Sequence, residues 1–327
     1  MGISAHHVAY VTDPEPNPDP IAFLLEALGQ AGSLLALGIG ALVILVAVLA
    51  WARWRPLEAA RLRLIARTAR YHEYLPWMIR LSVGLVLIGA GLSRVMFMPI
   101  LPTTALPAFI LTAAGFLLLL GLAVRPAALV ALGAYAVTLV ASPELVMMLD
   151  VAGALGVAAV LGPGLPSADD LLRAAFPRGP GARAATANLA RTRYDDVVPL
   201  LVRLGLGGAF VASGIIDKVV IYEQALAAVR QYGLTSVVPV SPELWVLGAA
   251  VIETSLGFAI VLGVLTRFSA AVGFAVLTLA VFALANDPVI AHVGLFGLSS
   301  VLVVLGGGRW SLDHLVLAPA GDRLRRA

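Results

Sequence analysis

Two stretches of this chain, 76–162 and 199–306, carry the same hydrophobic plan, and that duplication restricts the fold more than any other feature. From Pro76 the sequence reads PWMIRLSVGLVLIGAGLSR, and 123 positions later, from Pro199, it reads PLLVRLGLGGAFVASGIIDK. Pro76 coincides with Pro199, Arg80 with Arg203, Gly84 with Gly207 and Gly91 with Gly214. Further on the register rises to 142, so that TAAGFLLLLGLAVR ending at Arg125 lies over TSLGFAIVLGVLTR ending at Arg267, and Asp150 falls on His292. Both copies close alike, with GPGLPSADDLL from Gly162 and GGGRWSLDHLV from Gly306. Such a chain folds as two copies of one small unit, and the positions where the copies differ are where function is sought.

Hydrophobic residues are 60% of the chain and charged ones 13%, with a mean hydropathy of +0.96, which soluble domains do not reach. Apolar stretches of membrane length run over 31–52, 76–98, 106–124, 126–142, 145–161, 197–216, 242–265, 267–285 and 289–306. In lipid, backbone groups must be satisfied within the segment, so these read as helices. The expected fold is an all-α polytopic membrane protein of about nine transmembrane helices. One is an N-terminal anchor, and the rest form two parallel four-helix bundle repeats.

The units expected are an external polar tail over 1–30, the anchor helix with a cytoplasmic amphipathic connector over 31–75, repeat one over 76–172, a cytoplasmic linker over 173–196, repeat two over 197–316 and a basic tail over 317–327. With the N-terminus outside, the inner segments hold Arg53 to Arg70, Arg125, Arg173 to Arg193, Arg267, Arg309 and Arg323 to Arg326, against Arg94, Lys218 and Arg230 outside. That distribution sets the N-terminus outside and the C-terminus in the cytoplasm of a prokaryotic plasma membrane, in contact with its lipids. The net charge of +3 then reports topology and not nucleic-acid binding. Nothing resembles a cleavable signal, because the first 20 residues are polar and rich in Pro. The absence of cysteine excludes thiolate catalysis, disulfides and cysteine-held metals, so any redox role must take its electrons from a partner or a diffusible cofactor.

The copies differ most in the second repeat. Its 19 extra residues fall in about 218–241, with Val220, Ala225, Ala228 and Val229 near one helical face, which reads as a short helix over the bundle mouth, lid or loop. Glu253 lies near the middle of an apolar helix where repeat one has Leu111. A lone ionisable group there faces the interior with a partner, and the nearest plausible one is Arg203, inside the cytoplasmic end of the preceding helix, although Arg80 repeats it without any Glu. Because Leu111 serves in the other copy, Glu253→Leu is expected to leave folding intact. On the outer side the second repeat gathers Asp217, Lys218, Tyr222, Asn286 and His292, whose imidazole titrates near neutral pH. Bland readings stand beside each: Asp217-Lys218 as an interface anchor, and Asp287-Pro288 and Ser241-Pro242-Glu243 as ordinary helix starts.

At these residues the chain resembles the DoxX/DoxD-like membrane family. The shared elements are Arg203-Leu204 with Gly207, Gly214 through Lys218, the embedded Glu253, Gly263 through Arg267, and the closing Gly306-x-Gly308 with Ser311 and Asp313. The likeness is good for repeat two and partial for repeat one, which lacks the Lys and the Glu. It implies four-helix units and an integral membrane subunit of a quinone-linked redox system. In that reading Glu253, His292 and Lys218 bind or deprotonate a quinol headgroup, Arg203, Asp217, Tyr222 and Asn286 line the site, and a soluble oxidoreductase is the partner. Whether the chain is itself an enzyme, or forms oligomers, is left open by the resemblance. The rival reading is a non-catalytic scaffold or a small-solute permease on the same repeats.

Overall fold

The computed structural model describes residues 19–30, 63, 65–175, 192–284 and 289–315, with isolated helical positions between 38 and 49. The anchor helix 31–52, most of the connector, the linker and the C-terminal tail therefore lie largely outside the described residues. Ten helices of eight residues or more carry the fold: α1 (Pro20–Gly29), α2 (Leu75–Leu92), α3 (Ala105–Leu120), α4 (Val124–Ala141), α5 (Leu149–Leu161), α6 (Ala168–Ala175), α7 (Thr192–Ile215), α8 (Tyr222–Gln231), α9 (Pro242–Leu262) and α10 (Thr266–Ala283). An eleventh, α11 (Val289–Leu305), completes the bundle. The strands β1 (Val95–Met96) and β2 (Met98–Pro102) form a small antiparallel hairpin where repeat one was expected to be helical to 98.

Among the described residues six helical spans are long and apolar enough to cross a membrane, at 65–92, 124–141, 143–161, 196–220, 242–262 and 266–283. The helices at 105–120 and 290–305 are apolar but shorter. Val140 and Phe282 are 86% and 83% exposed on the outer helices, a surface that only lipid accommodates.

Four helices make the centre: α2 and α11 pack together, as do α5 and α7, and the two pairs meet. The contacts are close because small residues face each other. A methyl on Gly153 would lie 2.8 Å from Gly205 Cα, and one on Gly297 would lie 2.4 Å from Ser82 Oγ. Helices α3 and α9 lie against α2 and α7 through Gly84 with Gly115, and Gly207 with Gly257. Where apolar side chains have no water to escape, such backbone approach supplies the packing energy that holds helices together.

Gly156 meets Leu201 where Gly208 meets Leu149, and Gly89 meets Ile290 where Gly297 meets Ser82, so each of these pairs is antiparallel; the β-hairpin follows the end of α2, and α8 and α1 pack at the π-turn that follows α7. At the opposite end arginines bind the chain reversals. Arg203 donates through Nε to Ile260 O at 3.1 Å, through Nη1 to Gly307 O and Trp310 O at 3.0 Å each, and through Nη2 to Val261 O. Arg80 donates to Pro166 O at 2.6 Å, and Arg267 to Leu305 O at 3.1 Å and to Val303 O. Asp313 accepts from the N–H groups of Leu265 and Thr266 at 2.7 Å each, which satisfies the start of α10, and Asp169 does the same for Ala123 before α4. Ala123 and Leu265 both adopt left-handed backbone, at φ 48° and 46°.

Candidate functional site

Helix α7 does not end at Ile215. It widens into a π-turn over Ile216–Val220, where the N–H of Ile221 reaches back five residues to Ile216 O at 2.8 Å. In an ordinary helix residues five apart point away from each other, but a π-turn brings them to one side. Here it sets Ser213, Asp217 and Lys218 together. Ser213 Oγ donates to Asp217 Oδ2 at 2.9 Å, and Lys218 Nζ donates to Ser213 Oγ at 3.3 Å.

From the neighbouring α9, Glu253, the twelfth of its 21 residues, completes the cluster. Its Oε2 lies 2.8 Å from Lys218 Nζ and 3.3 Å from Ser213 Oγ. The close approach that permits this is made next door, where a methyl on Gly214 would lie 2.5 Å from Thr254 Oγ1. Side chains of Lys218 and Glu253 are 14% and 18% exposed, and Asp217 is buried at 3%. Glu253 is therefore not alone in the membrane, and its partner is Lys218, not Arg203. Arg203 sits at the opposite end with its guanidinium committed to four backbone carbonyls. The expectation that Glu253→Leu is harmless needs correction for the same reason, because the substitution strands an ammonium.

Beside the cluster lies a shallow groove of about 230 Å³ lined by Val219, Leu247, Ala250, Val251, Thr254 and Ser255. Val219 belongs to the π-turn that carries Lys218 and the other lining residues to α9, which carries Glu253, so the groove and the ion pair share the same two elements. Val251 on its rim is 40% exposed, which leaves the slot open sideways to the hydrocarbon.

The insertion forms α8, whose buried residues include Ala225, Ala228 and Val229, while Val220 stays outside the helix and is 44% exposed. Residues 20–29, expected in a polar tail, instead form α1. Asp19 caps it, accepting from the N–H groups of Ile21 and Ala22, and Phe23 and Ala27 face inward one turn apart. Phe23 stacks on Tyr222 of α8 with ring centroids 4.2 Å apart and planes 11° from parallel. Gln30 binds Ser241 and donates to Glu243 Oε2 at 3.2 Å, tying α1 to the start of α9. Tyr222 is thus part of the cap over the π-turn. Gln224, also on α8, is buried at 3%, and its Nε2 has no acceptor among the described residues.

His292 is buried at 4% on α11, which packs mainly against α10, α2 and α7. Its counterpart Asp150 is buried at 2%, with its carboxylate against Gly294 of α11. The structure places His292 on α11 and Asp150 against that same helix, on a different helix pairing from the Ser213 cluster. Asn286, with Asp287, lies outside the described residues. Sequence reasoning missed Ser213, Thr254 and Gln224, because a serine or glutamine among apolar residues carries no pattern and the π-turn that recruits Ser213 has no sequence signature.

Fold and surface define a multi-pass helical membrane protein. Residues 198–286 match the model of the DoxX family. The match contains Ser213, Asp217, Lys218 and Glu253, and stops short of His292. No curated protein and no solved structure matches the chain.

Proposed function

We propose that this protein is the membrane subunit of a quinone-linked redox system, built from two parallel four-helix repeats, and that it holds a quinol or quinone headgroup at the Lys218–Glu253 pair. One observation carries the reading: an amine, a hydroxyl and two carboxylates converge between the π-turn and α9, the two elements that also line an apolar groove open sideways toward lipid. A quinone needs a hydrogen-bond donor or proton acceptor at its carbonyl oxygen and an apolar path for its tail. Lys218 supplies the donor, Glu253 the base, and the slot beside Val219 and Val251 the path. Tyr222 and Gln224 cap the site from α8. Arg203 serves the fold, and His292, buried on α11, stands apart from the headgroup site.

The arginine distribution supports an orientation with the N-terminus outside, which puts the cluster toward the outer face; the membrane is a prokaryotic plasma membrane, and a soluble oxidoreductase is the electron-transfer partner. The permease reading is disfavoured by the opposite end, where Arg80, Arg203 and Arg267 are bound to backbone carbonyls and hold the chain reversals closed. Protein purified in mild detergent is expected to carry extractable quinone, or to bind a short-chain analogue about tenfold more weakly after Lys218→Met, a loss of about 1.4 kcal/mol. Absence of binding in both the purified protein and its membrane complex rejects the quinone and leaves a scaffold.

A further inference from the structure

Ser213 Oγ is the atom on which the cluster converges, at 2.9 Å from Asp217 Oδ2, 3.3 Å from Glu253 Oε2 and 3.3 Å from Lys218 Nζ. A serine hydroxyl has one hydrogen to give and two lone pairs to offer. The lysine takes a lone pair, so a single hydrogen faces two carboxylates that both lie within its reach. It can serve one at a time. We infer that Ser213 is a proton-relay residue joining Glu253, whose side chain is 18% exposed, to Asp217, which is buried in the π-turn.

The relay balances without any electron transfer. A proton taken up by Glu253 from a ligand hydroxyl or from water passes to Ser213 Oγ as Ser213 passes its own hydrogen to Asp217 Oδ2. The Glu O–H and the old Ser O–H break, and a new Ser O–H and an Asp O–H form, so the serine stays neutral throughout. Lys218 is ion-paired to Glu253 at 2.8 Å and reaches Asp217 through Ser213 Oγ, and both carboxylates act on its charge. It therefore compensates whichever one is ionised. The charges acting on Asp217 are likewise Lys218 and Glu253. Of the elements packed on the π-turn, α9 presents Glu253, α8 carries Tyr222 and Glu223, and α1 carries Glu26, which is exposed. Ser213 itself positions and conducts, and makes no bond to the ligand.

The inference rests on the cluster being the working site and is indifferent to which ligand delivers the proton. Infrared spectra of the lipid-reconstituted protein without quinone test it. Asp217→Asn leaves Glu253 as the carboxylate of the cluster, and Glu253→Gln leaves Asp217. In each background the remaining carboxylate stretch is compared with and without Ser213→Ala, and with Ser213→Thr, which restores a hydroxyl. The relay requires that Ser213→Ala shift the carboxylate band in both backgrounds and that Ser213→Thr return it. A shift in only one background marks a fixed hydrogen bond and overturns the relay, and a shift in neither does the same. Should the alanine variant not yield monodisperse protein, Ser213→Cys takes its place under the same two outcomes. Quinone binding is scored on separate samples, so loss of the ligand with both shifts present removes only the quinone, and the reverse removes only the relay.

Discussion

Lys218 is the single lysine among 22 basic residues, and it is placed where an ammonium is hardest to keep. Its pairing with Glu253 at 2.8 Å, both side chains less than a fifth exposed, makes each the condition for the other. Removing one partner of a buried pair costs about 3–5 kcal/mol because the other charge is left behind. Glu253→Leu is expected at the low end, about 3 kcal/mol, since Asp217 remains near Lys218, while Lys218→Leu with Glu253→Leu recovers much of the loss. Thermal unfolding in detergent checks this: a single variant as stable as the parent, or a double variant less stable than the single, contradicts it. Arg203→Met should destabilise comparably by leaving the Ile260, Val261, Gly307 and Trp310 carbonyls without their donor, yet it should not change ligand affinity in the folded fraction. An affinity change there would return Arg203 to the binding site.

At the scale of elements, the glycines at α2–α3 and α7–α9 decide how near two backbones come, and so whether Glu253 reaches Lys218. A methyl on Gly207 would stand 2.7 Å from Gly257 O, a backbone atom that cannot step aside. Gly207→Ala should cost about 1–3 kcal/mol as an overpacked contact. Gly248 on the same α9 has nothing within 4 Å of such a methyl, so Gly248→Ala should be neutral or stabilise by about 0.5–1 kcal/mol through helix propensity. Unfolding midpoints of the two variants should therefore move in opposite directions, and equal losses would mean the close approach is not what sets the stability. The β-hairpin and the π-turn are the two places where the halves part. Repeat one ends its first helix in a left-handed Arg94 at φ 53° and turns into strands, whereas repeat two widens into Asp217-Lys218 and builds α8.

For the whole molecule the absence of cysteine offers a clean topology test. Ser236 in the loop after α8 and Arg309 in the closing turn are both exposed and lie at opposite ends of the bundle. In intact cells Ser236→Cys should react with an impermeant maleimide and Arg309→Cys should not. The reverse pattern would invert the orientation, and labelling at both would break the assignment of the two ends to the two faces.

Hydrophobic content and the positions of the apolar segments were legible along the chain, because lipid accepts only segments that satisfy their own backbone, and that requirement is local. Matched residues such as Arg80 with Arg203 and Asp169 with Asp313 were also legible as pairs, though their work as staples of the chain reversals was not. What tertiary structure alone decided was partnership. Arg203 looked nearest to Glu253 along the helices, but Lys218 took that place because a five-residue turn rotated it onto the face of Ser213. Residues 20–29 read as polar tail until Phe23 found Tyr222, some 200 residues away in the chain. Neither contact has a period or a motif, since each depends on how two helices approach in space, and that approach is set by glycines on their facing sides.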